Sequence, residues 1–557
     1  MPRSRLSLIL ATTLFSAGFL SAGSPVSLHA DEPLHVRIDQ LIAAKTPEYA
    51  KLAAPLASDG EFLRRVTLDL TGMIPTTADA RAFLADTSPD KRTKLIDKLL
   101  ASPEYARHMQ RVADVVLMRR LAASKVSAAE WQTFLRTSFA ENKPWDKLAH
   151  EILSNDGSDI KNRGPARFYL DRNVDINAVT LDIGRVFLGT DIECAQCHDH
   201  PEFDDYKQAD YYGIQAFLVR SALFTDPKTK KAMIAEKAVG EVSFLSVFAP
   251  KDKKTKPNSI LPTVFGEKLA DEPKFEKGQE YKVKPAKNVR SIPKFSRFAL
   301  LADAVTSPKN RRFTRTAANR FWGMMLGRGL VHPVDRDHSD NPPSHPELLE
   351  LLADELAAHK FDIKWYLREL ALTQTYQRSS RYGAADTKEI PEETFVQAVM
   401  KPLSPAQLAW AMLQASGEAD VHRKSLGAKL TEAALAKRLV GTENRFVSLF
   451  GGPAGQAPQD FETTVDQVLF VANDPTMIAL TKTKAGNLAD RIAKLPADDT
   501  NAIAEELFFS VLTRKPTSED IADVKAHLSQ PMGTDRPALI QELVWALLAS
   551  SEFRFNH

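Results

Sequence analysis

Cysteine is almost absent from this 557-residue chain: there are two, Cys194 and Cys197, two residues apart. Thiols that close cannot staple distant parts of a fold, so a disulfide framework of the kind that supports small exported domains is excluded, and whatever the pair does is local. Long apolar runs are missing too. Past residue 30 nothing offers 18 consecutive apolar residues, which predicts no integral membrane span in the mature chain. Charge of one sign is lacking as well. The formal net charge is +2, and Arg3 and Arg5 are the only charged side chains among the first 30 residues, so the chain without that leader has no net charge. A neutral chain lacks the electrostatic footprint of a nucleic-acid binder, and no nucleic-acid partner is expected. The Lys-rich pieces "DPKTKK" and "PKDKKTKPN", with their prolines and no aromatics, read as solvated loops. G-x-S-x-G and Walker-type loops are absent, which leaves hydrolase and nucleotide-enzyme readings without a motif.

What is present describes a large globular protein: 43% of residues are apolar and 26% charged, enough core for two or three domains. The opening "MPRSRLSLILATTLFSAGFLSAGSPVSLHA" has two arginines, a short apolar run and small residues before Ala30. That is the pattern of a cleaved signal peptide over residues 1–30, and it predicts a periplasmic or secreted protein with a redox or envelope partner. Helix-start signals recur in "SPDKRTKLIDKLLAS", "SPEYARHMQRVADVVLMRRLAA", "SPAQLAWAMLQASG" and "PTSEDIADVKAHL", where a hydroxyl precedes a first turn rich in proline or acid. Ser344 and Glu347 have capping-box spacing ahead of a leucine-rich face. Between Ser221 and Pro293 the pattern changes. Lys and Pro rise there, "VGEVSFLSVF" is β-branched and aromatic, and "KGQEYKVKPAK" alternates. The fold class is therefore mainly α, with two helical domains (31–220 and 294–557) separated by a small β-rich insertion (221–293).

The chemistry concentrates in "LGTDIECAQCHDHPEF", Leu188 to Phe203. In an exported protein, C-x-x-C-H suits covalent attachment of haem: two thiols add to the two vinyl groups, and the adjacent histidine, His198, becomes the proximal iron ligand. A zinc or iron site could instead use Cys194, Cys197, His198 and His200, since thiolate and imidazole suit both metals. A redox disulfide is the third reading, although the helical surroundings lack the βαβ setting it usually has, and a coincidence of composition is the fourth. Met233, His338, His345 and His557 are the candidates for a second axial ligand. A second constellation lies in "HPVDRDHSDNPPSHPE", where Asp335, Asp337, His338, Asp340 and His345 share one loop. Carboxylates and imidazoles that close could hold a divalent cation or move protons, and a polar Pro-rich turn between helices explains them equally well.

The segments "FLRRVTLDLTGMIPT", "GRVFLGTDIECAQCHDHPEFDDYKQADYYGIQAFL", "NRFWGMMLGRGLVHPVD", "NPPSHPELLELLADEL", "LTQTYQRSS" and "ALLASSEFRFNH" closely resemble the planctomycete cytochrome-like proteins. In that family an N-terminal cytochrome C-like domain precedes a C-terminal planctomycete domain, and both are of unknown function. The resemblance runs from about Val36 to His557. It implies that Cys194, Cys197 and His198 occupy the cytochrome-like motif, which Asp199, His200 and Pro201 continue. The chain departs from the family in having Glu202 between Pro201 and Phe203, and Tyr206 where Trp is common. Many relatives also carry a separate cytochrome module, for which this sequence has no second C-x-x-C-H. The leading expectation is an exported protein with one covalent haem c, serving electron transfer or haem-supported oxidoreduction. Beside it stand an envelope binding or scaffold protein with structural zinc or iron at the same residues, and a metal-assisted enzyme using the Asp335–His345 loop on envelope polysaccharide.

Overall fold

Side-chain caps from Ser, Thr, Asp and Asn set where most of the described helices begin. Ser102 accepts from the Tyr105 N–H ahead of the helix Pro103–Met118, Ser404 and Gln407 form a capping box on Pro405–Ala415, and Thr517 and Asp520 form one on Ser518–Leu528. The computed structural model describes residues 32–250, 255–268, 272–381, 390–453, 464–529 and 535–557, so the leader expected at residues 1–30 lies outside the described residues. Among the described residues there are 26 α-helices and five two-stranded antiparallel sheets. The fold is mainly α, as the sequence indicates, and no described helix is long and apolar enough to cross a membrane.

The expected capping box at Ser344 does not form. The helix Pro346–Ala358 starts one residue later, with His345 as its uncapped N-cap, and the Ser344 hydroxyl turns to the His345 ring at 3.1 Å. The cause is Pro346: proline suits the first helical position and keeps the residue before it out of the helical region, which moves the boundary to His345.

Four of the five sheets fall in the region between the two helical parts. Ser221–Thr225 pairs with Ala232–Glu236, Val242–Phe244 with Asn258–Ile260, Thr263–Val264 with Glu267–Lys268, and Tyr281–Val283 with Ile292–Pro293. Two-stranded ribbons are not stable alone, and these lean on the helix Gln208–Leu218 and on each other. The fifth pair joins Lys401–Pro402 to Phe555–Asn556.

Two apolar cores hold the helices together. The larger draws on residues from Leu34 to Phe395 together with Phe509, so that Arg297–Thr306 packs on Trp145–Ser154 and both sides of the insertion share one interior. The second gathers residues from Leu403 to Phe553 together with Leu68, Met73 and Ile74. The helix Asp59–Thr71 lies between them, giving Phe62, Leu63, Val66 and Leu70 to the first core and Leu68 to the second.

That helix also buries charge. The Asp69 carboxylate accepts from Lys401 Nζ at 2.6 Å, Tyr376 Oη at 2.8 Å and Asn556 Nδ2 at 2.7 Å. Burial pushes the Asp69 carboxyl up and the Lys401 ammonium down, and each opposes the other's shift. Removing one partner would strand the other charge without water. Asp69→Ala is therefore expected to lower the unfolding free energy by about 3–5 kcal/mol, and Tyr376→Phe by about 1 kcal/mol, as read from urea unfolding near neutral pH.

Candidate functional site

The cysteine motif follows a helix whose end is tightly constrained. Asp175 caps Ile176–Phe187 by accepting from Asn177 and Ala178, and the chain leaves through Gly189 at φ +65°, where a Cβ would come within 2.6 Å of the Thr316 hydroxyl. The next residues tie to the distant second loop: the Asp337 N–H donates to the Gly189 carbonyl at 3.0 Å, and Thr190 bridges to Arg336. Ile192 and Ala195 are buried, and they anchor a short 3₁₀ turn, Cys194–Gln196, instead of a longer helix.

Anchoring the turn from below leaves both thiols outside. Cys194 and Cys197 are exposed and unpaired. Tyr212 Oη donates to the Gln196 carbonyl at 2.9 Å, and the Val247 N–H donates to the Cys197 carbonyl at 3.0 Å, so the insertion fixes one side of the turn. The His198 ring lies 5.0 Å from Phe248, and its Nδ1 is 2.7 Å from the Asp199 carbonyl. With Nδ1 the donor in that bond, Nε2 carries the lone pair. Beside the ring lies an apolar strip, Leu245, Val247 and Phe248, exposed at 42%, 57% and 77%.

His200 takes a different direction. Its Nδ1 accepts from the Glu202 N–H at 3.3 Å, and its ring stacks on Phe203 with centroids 3.6 Å apart. His338 stacks on Phe203 at 3.9 Å with planes within 7°, so the phenyl ring is held between two imidazoles. Tyr206 meets Phe203 and His338 edge-on, and its hydroxyl donates to the Asp337 carbonyl at 3.3 Å. The Ser339 N–H donates to Asp205 at 3.0 Å. Partial burial pushes the Asp205 carboxyl up, but Ser339 outweighs it and holds the group below the usual carboxylate range.

The second loop does not act as one cluster. Asp337 pairs with Arg315 at 3.1 Å, His338 joins Phe203, and His345 turns into the core, its ring 5.7 Å from Phe395 and its Nε2 buried without an acceptor among the described residues. Asp340 is exposed, and Asp335 is half-buried. Among the described residues no three side chains of His, Cys, Asp or Glu come together in a way that could hold a metal ion, at this loop or at the cysteines. Met233, a candidate second ligand, is buried in the Ser221–Glu236 hairpin, and His557 is half-buried beside the last strand.

A family profile described as PSCyt2, a protein of unknown function (DUF1549), matches residues 37–222, and one described as PSD1, a protein of unknown function (DUF1553), matches residues 297–528. The chain belongs to the proteins that carry these two domains in this order. No curated protein and no solved structure matches it. The cysteine motif thus sits in the PSCyt2 domain and the Asp335–His345 loop in the PSD1 domain, while the wall against His198 comes from the stretch between the two. Phe203, wedged between His200 and His338, joins one domain to the other. The sequence reading missed Phe203 and the strip at Leu245, Val247 and Phe248. The only signal for the strip is the apolar "FLSVF", whose pattern suggests a strand, whereas the strand ends at Phe244 and Val247 and Phe248 lie in the turn that follows.

His345 gives this region a measurable pH dependence. Burial pushes its pKa down to about 4, from an unfolded value near the ordinary 6.5, with Lys45 adding to the shift. The unfolded chain therefore binds a proton that the native chain refuses, and stability falls as pH drops from about 6.5 through about 4. His108, pushed down to about 3 by burial and by Arg107, acts in the same direction. His345→Gln is expected to remove on the order of 2 kcal/mol of that dependence, measured as the difference in urea midpoints at neutral and mildly acidic pH.

Proposed function

We propose that the PSCyt2 domain attaches one haem c through thioether bonds at Cys194 and Cys197, with His198 as the proximal ligand, and that the protein works outside the cytoplasm in electron transfer or haem-supported oxidoreduction. The observation that carries this reading is the state of His198. Its Nδ1 donates to the Asp199 carbonyl, which leaves the lone pair on Nε2, and two exposed thiols and an exposed apolar strip lie beside it. A bound haem would supply a one-electron redox centre, its potential tuned by axial ligation and exposure.

The chain's own residues do the positioning. Asp199 serves twice: its carbonyl orients the imidazole, and its carboxylate accepts from the Gln208 N–H at 2.7 Å, which ties the motif to the start of Gln208–Leu218. Tyr212 fixes the turn through Gln196 and is itself held by stacking on Phe244 at 4.5 Å. Leu245, Val247 and Phe248 offer carbon surface that an apolar macrocycle would remove from water. A bare zinc or iron centre has less support, because His200 is committed to Phe203 and not to the thiols.

Co-expression of the full chain with a cytochrome c maturation system is expected to yield haem that survives acid extraction. The single changes Cys194→Ala and Cys197→Ala should each leave at most one thioether, and the double change none. His198→Ala should keep the covalent link while altering the axial-ligand spectrum. Protein without covalent haem, or haem retained after loss of both cysteines, overturns the proposal. So does one equivalent of zinc or iron, bound without haem and released by changing His200 but not His198.

A further inference from the structure

A cavity of about 260 Å³ lies between the two family domains, away from the cysteine motif in its lining. Its walls come from helices of the PSCyt2 domain, through Met109, Phe139 and Trp145, and from the helix Arg311–Leu326 of the PSD1 domain, through Phe321 and Met324. The lining is almost wholly carbon, and the volume is near the lower end of small-ligand sites. Trp145 meets Phe321 edge-on at 5.6 Å, so the aromatic wall is held in place without a ligand.

One cationic side chain reaches this apolar space. Arg320 Nη2 donates to the carbonyls of Arg185 at 3.0 Å and Val186 at 3.5 Å, in the last turn of Ile176–Phe187. Its Nε is buried without an acceptor, and no carboxylate lies within ion-pair distance of the guanidinium among the described residues. The same fold answers other guanidinium groups with acid: Arg315, on the same helix, pairs with both Asp337 and Glu350, and Arg172 pairs with Asp182. Arg64 and Arg163 are also held by carbonyls, so that kind of anchoring alone marks nothing. Arg320 differs because it lines this cavity, which neither Arg64 nor Arg163 does. Burial, with Arg185 close by, pushes the Arg320 guanidinium down to about 10 against the pull of Asp335, as expected for a cation short of negative charge.

We propose that this cavity binds a medium-chain monocarboxylate, with its hydrocarbon tail among Met109, Phe139, Trp145, Phe321 and Met324 and its carboxylate on Arg320. A carboxylate would bring the guanidinium the negative charge that no acid among the described residues pairs with it, and charge-assisted bonds of this kind are the strong ones. A neutral apolar ligand would fill the space and leave the cation as it is. A tail of roughly eight to ten carbons suits a site at the small end of the ligand-pocket range. The assignment is independent of the haem reading, since the cavity shares no residue with the cysteine motif.

Isothermal titration of the full chain with octanoate, decanoate and decanol tests it, with tryptophan fluorescence following Trp145. Saturable one-to-one binding is expected, each added methylene tightening it by up to about fourfold. Decanol should bind at least about tenfold more weakly than decanoate. Arg320→Met should erase that preference, and Ala317→Phe or Ala113→Leu, which fill the cavity without touching the cation, should abolish decanoate binding while unfolding stays cooperative. The decanol comparison needs no variant, so it stands even if Arg320→Met does not fold. No saturable binding of decanoate, equal binding of decanol, or decanoate binding that survives both filled cavities would each overturn the proposal.

Discussion

The carboxylate of Asp69 is the point on which the architecture turns. It sits on a helix buried along nearly its whole length, beside Arg64 and Arg65, which are buried as well. Charges in that position are tolerated only when every one is answered. Arg64 donates to the carbonyls of Val511 and Phe553, Arg65 to those of Tyr376 and Arg378, and Asp69 accepts from Tyr376, Lys401 and Asn556. All of these partners come from the C-terminal part of the chain. Apolar packing alone would let the two cores settle against each other in many ways, whereas three buried polar side chains with fixed partners select one.

The region around the cysteines follows a different logic. There the interior of the junction is polar and aromatic, and the chemically reactive groups are turned outward. Phe203, Tyr206 and Asp205 reach across to His338, Asp337 and Ser339, while Cys194 and Cys197 are exposed and His198 meets Phe248 of the stretch between the domains. The PSD1 domain thus braces the base of the motif, and the intervening stretch supplies the wall that the imidazole meets. Among the described residues neither supplies a second histidine or carboxylate to the thiols.

Local chemistry made much of this legible. Ser102, Ser404 and Thr517 announced their helices because a cap depends only on residues three positions away, and Gly189 announced a stop because its backbone conformation and close approach to Thr316 exclude a side chain. Ser344 misled for an equally local reason, since Pro346 overrode the cap. The spacing C-x-x-C-H was visible, whereas the separation of His198 from His200 was not, although they stand two residues apart. Their directions are decided by Phe248 and Phe203, and Phe203 is in turn fixed by His338 from the other domain. Contacts between remote stretches leave no periodicity to read. The exposed strip at Leu245, Val247 and Phe248 was hidden by a similar ambiguity, since β-branched and aromatic residues describe a strand, whereas these follow the strand that ends at Phe244.

The bond between Asn556 and Asp69 spans 487 positions. A contact of that range is disfavoured early: loop closure costs entropy before the contact returns anything, and residue 556 must exist before residue 69 can find it. Until then the carboxylate keeps its water and Lys401 lacks its full set of neighbours. The two ends of the described chain therefore behave as a clasp that shuts late. During that interval the PSCyt2 helices can assemble locally while the seam to the PSD1 domain stays open to solvent.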